Sequence, residues 1–362
     1  MKKSARRVNK KAAEKQSKSA IASKRNITRE SDLFWIAAIL VIAFVLRLSY
    51  LVQIQSIPLF YHLAGDGRTY DEWAQRIASG DWLGKGVFYQ APLYPYFLGV
   101  LQLVVGHNLW LIRLIQIILG SLSCALIYLV GRKLFSQAAG IAAGLILACY
   151  APAIFFDALI EKSILDLFLL SLLLFLLIGT MKRRHWTQWL AAGATLGLFG
   201  LSRENALILT AVIPLWLAIN FADQSIQTRA RWTAVFFGGL LLVLVPVGIR
   251  NLAVGGEFKL TTSQFGANLF IGNNPEADGS YGSVHKIIGE PQLEGNDAAR
   301  LAERALGRRL SPGEVSGYWL NKSLDYIRTE PANWVRLLGK KWLMVWNARE
   351  VEDSDVTNAH QR

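Results

Sequence analysis

The sequence predicts an all-α polytopic membrane protein: a bundle of about seven transmembrane helices, a large first outer loop containing interfacial helices, and a small soluble C-terminal region. Three observations carry this expectation. Of 362 residues, 52% are hydrophobic and only 18% charged, whereas a soluble domain carries about 25% charged residues. Uncharged runs long enough to cross a bilayer, about 17–25 residues, recur up to residue 250. The formal net charge of +13 sits in a tail and in tight loops between those runs. The composition argues against a cytosolic enzyme and against a disordered chain. Strong basicity usually suggests nucleic acid, but a basic tail directly ahead of an apolar run points to membrane orientation.

The elements follow in chain order. Residues 1–32 hold eleven Lys/Arg against Glu14, Glu30 and Asp32, and read as a basic cytoplasmic tail. The tail is too long for the basic region of a cleaved signal peptide, and no small-residue cleavage site follows the apolar run. Spans are expected near 33–53, 114–131, 136–156, 163–181, 186–202, 205–222 and 232–249, making 33–250 the membrane module. Arg47 in the first span reads as a helix-packing or snorkelling side chain. Residues 86–112 carry no charge, yet Pro92, Pro95, Gly99, Gly106, His107 and Asn108 interrupt them. Their apolar core, 93–105, is too short to span, so a re-entrant or interfacial helix is expected.

Loop charge fixes the topology. With seven spans and the N-terminus inside, the tight inner loops hold Arg132/Lys133, Lys182/Arg183/Arg184 and Arg229/Arg231, and the tight outer loops hold only Lys162 and Arg203. Making 93–105 a span would place the basic loops outside, against the positive-inside rule. The outer side then receives the first loop (54–113), the turns at 157–162 and 202–204, and everything after 250. Residues 251–333 form a polar extracytoplasmic region, with a helix starting at Ser311, where Ser-Pro-Gly-Glu reads as N-cap, Pro at the first position and Glu at the third. Residues 334–362 are an amphipathic segment followed by a polar tail with Glu350, Glu352, Asp353 and Asp355. Trp73 and Trp82 are expected as interfacial anchors.

Charged groups at span ends are costly and mark function by default. On the outer side these are Asp66, Asp71 and Glu72 in the first loop, Asp157, Glu161 and Lys162 between the third and fourth spans, then Arg203/Glu204, and Arg250. A carboxylate can accept the proton of an attacking hydroxyl, and a guanidinium can hold a phosphate with two hydrogen bonds. Carboxylates beside cations at a membrane surface therefore suit transfer from an anionic, lipid-linked donor. Cys124 and Cys149 lie in apolar runs as expected of buried inert thiols. His62, His107, His185, His285 and His360 form no pair at ligand spacing, so no metal site is expected, and no cofactor. The stretch 275–280 (PEADGS) resembles half a calcium loop without the later ligands and reads as a surface turn.

The stretches GDGRTYDEWAQRIASGDW, FYQAPLYPYFLGVLQLVVG, IRLIQIILGSLSCALIYLVGRKLF and LFGLSRENALIL together resemble the GT-C glycosyltransferases. Within these, the branch resembled is that of the protein O-mannosyltransferases and lipid A aminoarabinose transferases. The resemblance implies a GT-C-like bundle, a polyprenyl-phosphate sugar donor and inverting transfer to an acceptor hydroxyl of a protein, lipid or polysaccharide. It also implies a bacterial plasma membrane, with the active site extracytoplasmic. These relatives carry an acidic pair early in the first outer loop, then a Tyr and an Ala at steps of four. Asp66, Tyr70 and Ala74 match, with Gly67 in place of the second acid. Asp66 is thereby the expected general base, with an Asx turn in AGDGRT as its structural alternative. Glu161 matches the later family acid, with Asp157 in reserve. Arg203 stands where relatives bind the lipid phosphate, its alternative being an ion pair with Glu204. Lys162 and Arg250 are further phosphate candidates; Tyr70 is also expected to bind substrate, as is Gln90, which precedes the Ala91-Pro92-Leu93 that replaces the family's Pro-Pro-Leu and stands where some relatives have a basic residue.

Two rival readings remain. A transporter or flippase for a lipid-linked or anionic substrate would use the intramembrane Arg47 and Asp166, but predicts two similar halves, which the sequence lacks. A truncated, non-catalytic chain that keeps the fold is the other, suggested by Gly67 and the short C-terminus.

Overall fold

The computed structural model describes residues 30–182, 185–279 and 294–346, and among them every regular element is helical. The basic tail before residue 30, Arg183/Arg184 of the second inner loop, His285, His360 and the acidic tail lie outside the described residues. Among the described residues four helices are long and apolar enough to cross a membrane: α1 (Glu30–Ile54), then α4 (Leu109–Leu134), α7 (Ser163–Lys182, apolar to Met181) and α10 (Ile226–Gly255). These cover the expected first, second, fourth and seventh spans. The third is a bent pair, α5 (Gln137–Cys149) and α6 (Ala151–Asp157), which meet at 57°. Tyr150 at the joint is extended and Pro152 opens α6, so the proline ring removes the amide that would have continued the ladder. The expected fifth and sixth spans are shorter: α8 (Trp186–Ser202) has 17 residues, and a 3-10 turn (Glu204–Ile208) leads into α9 (Leu209–Asn220).

The segment between α1 and α4, expected as the first outer loop, contains α2 (Gly65–Ala78) and α3 (Leu93–Val105). The latter is the short apolar helix expected at 93–105. α2 and α3 pack closely because Gly99 leaves room for Ile77: a Cβ there would lie 2.7 Å from Ile77 Cγ2. The same device sets the bundle. Gly193 of α8 faces the Phe236 carbonyl and Gly239 of α10 faces the Leu190 carbonyl, where an added Cβ would meet oxygen at 1.8 and 2.1 Å. Small residues let membrane helices approach this closely, and dispersion between them replaces the missing hydrophobic drive. Trp189 stacks on Trp232 with ring centroids 5.9 Å apart, with Phe221 edge-on to both, at one end of this crossing.

Arg47 does not snorkel. It is fully buried, donating from Nε to Asp157 Oδ2 at 2.7 Å and from Nη1 to the Ala43 and Ala148 carbonyls. Gly120 of α4 backs directly onto this pair. Cys124 is buried nearby, whereas Cys149 is exposed, contrary to expectation, because it ends α5 on the face turned from the bundle. The C-terminal region has its own core of Ala267, Ile271, Ala298, Ala302, Val315 and Trp319. It joins α11 (Phe265–Gly272), α12 (Glu294–Leu306) and α13 (Pro312–Thr329), and α14 (Pro331–Val345) follows. Ser311 caps α13, its hydroxyl accepting from Glu314 N while the Glu314 carboxylate accepts from Ser311 N, as the sequence predicts.

Candidate active site

α2 brings Asp66 to the site. Gly65, at φ 55°, takes the left-handed turn that opens the helix, a conformation costly for other residues. Asp66 then occupies the first turn, where the helix N-terminus favours its carboxylate. Tyr70, Ala74 and Ile77 form the buried stripe of α2. Gly67 touches the loop before α7: a Cβ at 67 would lie 3.2 Å from the Ile160 carbonyl. The residue that replaces the second acid is thus the one that lets α2 rest beside Glu161.

Tyr70 stands at the centre. Its ring meets Tyr94 edge-on, centroids 5.4 Å apart, and is 1% exposed. Tyr94 donates its hydroxyl to Gln116 Oε1 at 2.6 Å, and Gln116 Nε2 donates to the Asp157 and Leu159 carbonyls. That chain of bonds ties α3, α4 and the approach to Glu161 into one rigid wall. Burial pushes the Tyr70 phenol far above the ordinary tyrosine range; Asp66 and Glu161 push it further, Arg203 opposes them, and Asp166 adds to the rise. One buried, neutral phenol therefore feels Asp66, Glu161, Asp166 and Arg203 together.

Arg203 closes α8 in extended conformation. Its Nε donates to Asp166 Oδ2 at 2.6 Å while Ser202 Oγ donates to Asp166 Oδ1 at 2.6 Å. The pairing alternative with Glu204 does not occur: Glu204 accepts from Thr262 N at 3.0 Å and Thr262 Oγ1 at 2.5 Å. The Arg203 side chain is 50% exposed against 12% for Asp166, so the guanidinium is fixed at its inner edge and open at its outer one. Lys162, half-buried at the head of α7, has no ion-pair partner among the described residues. Asp166 is the residue the sequence reading missed as part of this site. Its signal was present, a lone carboxylate at a span end, but its partner lies 37 residues away.

Three expected members fall elsewhere. Asp157 is 1% exposed and paired with Arg47; a carboxylate enclosed by helices needs its counter-ion. Arg250 clamps the first outer loop: Nε donates to the Leu83 carbonyl at 2.8 Å, Nη1 to that of Gly86 at 2.6 Å, and the guanidinium lies over Phe88 at 3.7 Å. Asn251 beside it accepts from Phe88 N and donates to the Lys259 and Thr261 carbonyls. Gln90 lines a separate cavity of about 700 Å³ between that loop and the C-terminal region, as does Arg250. Asp71 is buried, accepting from Gln75 and Gln102 with His107 Nε2 at 2.9 Å, and it latches α2 to α3. Among the described residues no three His, Cys, Asp or Glu side chains group as metal ligands.

The family model described as dolichyl-phosphate-mannose-protein mannosyltransferase matches residues 89–249. No curated protein matches the chain. Two solved structures of the Archaeoglobus fulgidus oligosaccharyltransferase resemble it at 16% identity. The apo form gives a TM-score of 0.47 over 90% of this chain. The archaeal AglB complex with an inhibitory peptide and a dolichol-phosphate gives 0.42 over 89%. The chain spans 40% of the length of each. The matched residues run from the segment before α3 into the last turns of α10, and over 89–249 the chain is similar to the protein mannosyltransferase family, in keeping with the resemblance read from the motifs.

Proposed function

We propose that the protein is an integral membrane glycosyltransferase that moves a sugar from a polyprenyl-phosphate donor to an acceptor hydroxyl, with inversion, on the extracytoplasmic side of a bacterial plasma membrane. The observation that carries this reading is the Arg203 guanidinium, held at its inner edge by Asp166 at 2.6 Å and half exposed at its outer one, with α2 and its Asp66 packed through Gly67 against the segment that carries Glu161. The family description, which names a dolichyl-phosphate-linked mannose, supplies the donor class.

In this reading the acceptor hydroxyl attacks the anomeric carbon as Asp66 removes its proton. The anomeric C–O bond to phosphate breaks with its electron pair leaving on the phosphate oxygen. Arg203, held through Nε by Asp166, offers its two outer amino groups to that growing charge. Lys162 adds a second positive charge. Glu161 orients the sugar or acceptor through its hydroxyls, and Tyr70, neutral throughout, contributes a hydrogen bond. The lipid chain lies along the outer halves of the spans. Arg250 takes the role of loop anchor, and Gln90 belongs to the acceptor side.

The test is a transfer assay in membranes carrying this chain and supplied with radiolabelled polyprenyl-phosphate sugar. The expected result is label in a new glycosidic bond of inverted anomeric configuration, absent from membranes without the chain. Label that crosses the bilayer still attached to its lipid, with no new bond, would overturn the reading in favour of a flippase.

A further inference from the structure

The last helix, α14, presents two stripes to different surroundings. Trp334, Leu337, Lys341 and Met344 are spaced by three, four and three residues, so they share one face. This face is turned to the protein: Trp334 Nε1 donates to Asn273 Oδ1 at 3.0 Å, Lys341 Nζ donates to the Gly272 carbonyl, and Leu337 is buried. Those contacts fix the rotation of α14 on the end of α11. The next stripe round the helix is Val335, Leu338, Trp342 and Val345, at the same spacing, with Trp346 beside it. All five are between 40% and 73% exposed. Trp342 and Trp346 meet edge-on with ring centroids 5.8 Å apart. Single apolar side chains on a surface are ordinary, whereas a contiguous stripe marks an interaction surface.

Charge and position say what covers it. α14 carries Arg336, Lys340 and Lys341 and no acid. Lys341 is spent on Gly272, whereas Arg336 and Lys340 are exposed on the remaining face. An apolar stripe with two tryptophans, backed by cations, is the pattern of a helix lying in the plane of an anionic membrane surface. The bilayer is also near. Phe258 packs against Gly248 of the spanning helix α10, so the segment after α10 turns back along it. Thr262 is then bonded to Glu204 and Ser263 to the Phe88 carbonyl, and α11 starts two residues later. The eight residues of α11 rise about 12 Å. The seat of α14 at Gly272 and Asn273 is therefore one short helix away from chain fastened to the bundle.

We propose that α14 docks on the surface of the bilayer the protein spans, at the end where α10 emerges. Val335, Leu338, Trp342, Val345 and Trp346 enter the headgroup layer and upper acyl chains, and Arg336 and Lys340 are drawn to anionic phospholipid. Tryptophan suits that depth because its ring is apolar and its N–H polar. The C-terminal region is then held at two ends. At the head of α13, Gly313 N donates to Glu257 Oε1 at 3.1 Å, which ties the region to the bundle; after α13, α14 ties it to lipid. The proposal goes beyond the glycosyltransferase reading and does not depend on it.

The test measures immersion, not turnover. Full-length protein is reconstituted in vesicles of phosphatidylcholine, alone or mixed with phosphatidylglycerol. A nitroxide is attached at Val335→Cys, at Leu338→Cys or, on the remaining face, at Asn333→Cys, with Cys149→Ser removing the exposed native thiol. Collisions with oxygen report lipid, and collisions with a water-soluble nickel chelate report water. In the mixed vesicles the labels at 335 and 338 should favour oxygen, and the label at 333 the chelate. Arg336→Gln combined with Lys340→Gln should raise the water-exposed fraction at 335 and 338 by up to about 30-fold, the effect of two cations lost from an anionic surface. R336K combined with K340R should keep that fraction low, and W342A combined with W346A should raise it in both lipids. All substituted positions are exposed, and monodisperse elution of each variant excludes misfolding as the cause. Equal chelate access at 335 and 333, immersion indifferent to phosphatidylglycerol and to R336Q/K340Q, or spin–spin broadening at 335 from a second copy of the chain would each overturn the proposal.

Discussion

Arg203 illustrates what single residues do here. Its charge is useful because Asp166 holds only its inner edge. Arg203→Gln should therefore reduce transfer by about 10²-fold, in the range of losing one positioned electrostatic group. Asp166→Asn should act through Arg203, raising the KM for donor more than it lowers kcat; an equal fall in kcat alone would mean that Asp166 touches the reacting atoms. Gly67 is the second case. The motif suggests that its lost acid could be restored, but the Ile160 carbonyl would sit 3.2 Å from a new Cβ. Gly67→Asp should cost about 1–3 kcal/mol by overpacking without raising activity, read by thermal unfolding in detergent alongside the transfer assay. Asp66, Glu161 and Arg203 were singled out by outer-side placement and by the family resemblance, and their roles are proposals. The partner of Asp157 was not legible, because nothing local reveals that Arg47, 110 residues earlier, pairs with it.

At the scale of elements, apolar composition located the helices and proline located their breaks. The run 136–156 reads as one span because no charge interrupts it, and only Pro152 hints at the 57° bend between α5 and α6. That bend turns α6 back under Arg47, and the ion pair then holds it. Asp157→Ala would leave a fully buried guanidinium unpaired, a loss of about 3–5 kcal/mol; detergent stability should fall accordingly, and Arg47→Met with Asp157→Leu together should recover most of it. The α8–α10 crossing depends on Gly193 and Gly239. Gly239→Leu should push the helices apart and prevent a monodisperse preparation, whereas Gly238→Ala, with open space around it, should change little. In the C-terminal region, Arg308 and the Ser311 amide hold the Glu314 carboxyl down to about 2, below the ordinary value of about 4.3. A depressed folded-state carboxyl stabilises above its unfolded value and loses that contribution as pH falls through its folded one. The start of α13 should accordingly fray between about pH 4.3 and 2, visible as loss of amide protection at Glu314 and Val315, and sooner in high salt because both side chains are exposed.

Across the whole molecule, charges sort by side and by task. By the positive-inside rule the basic loops would face inward and set orientation; on the opposite ends of the helices the few cations meet carboxylates, as Arg203 meets Asp166. The composition established a membrane protein, and the placement of its rare charges suggested a transferase. A transporter reading asked for Arg47 and Asp166 along one path, yet each is neutralised by its own partner, Asp157 and Arg203. The cavity was hidden from the sequence because it arises where α12 and α13 fold back over the first outer loop, more than 200 residues along the chain. The central claim is that Asp66 deprotonates the acceptor beside Tyr70. It is tested most directly by comparing sugar transfer from a labelled polyprenyl-phosphate donor in membranes carrying the wild-type chain or Asp66→Ala at equal expression. A fall of about 10²–10⁴-fold is predicted, and transfer at the wild-type rate would contradict the account and move the base role to Glu161.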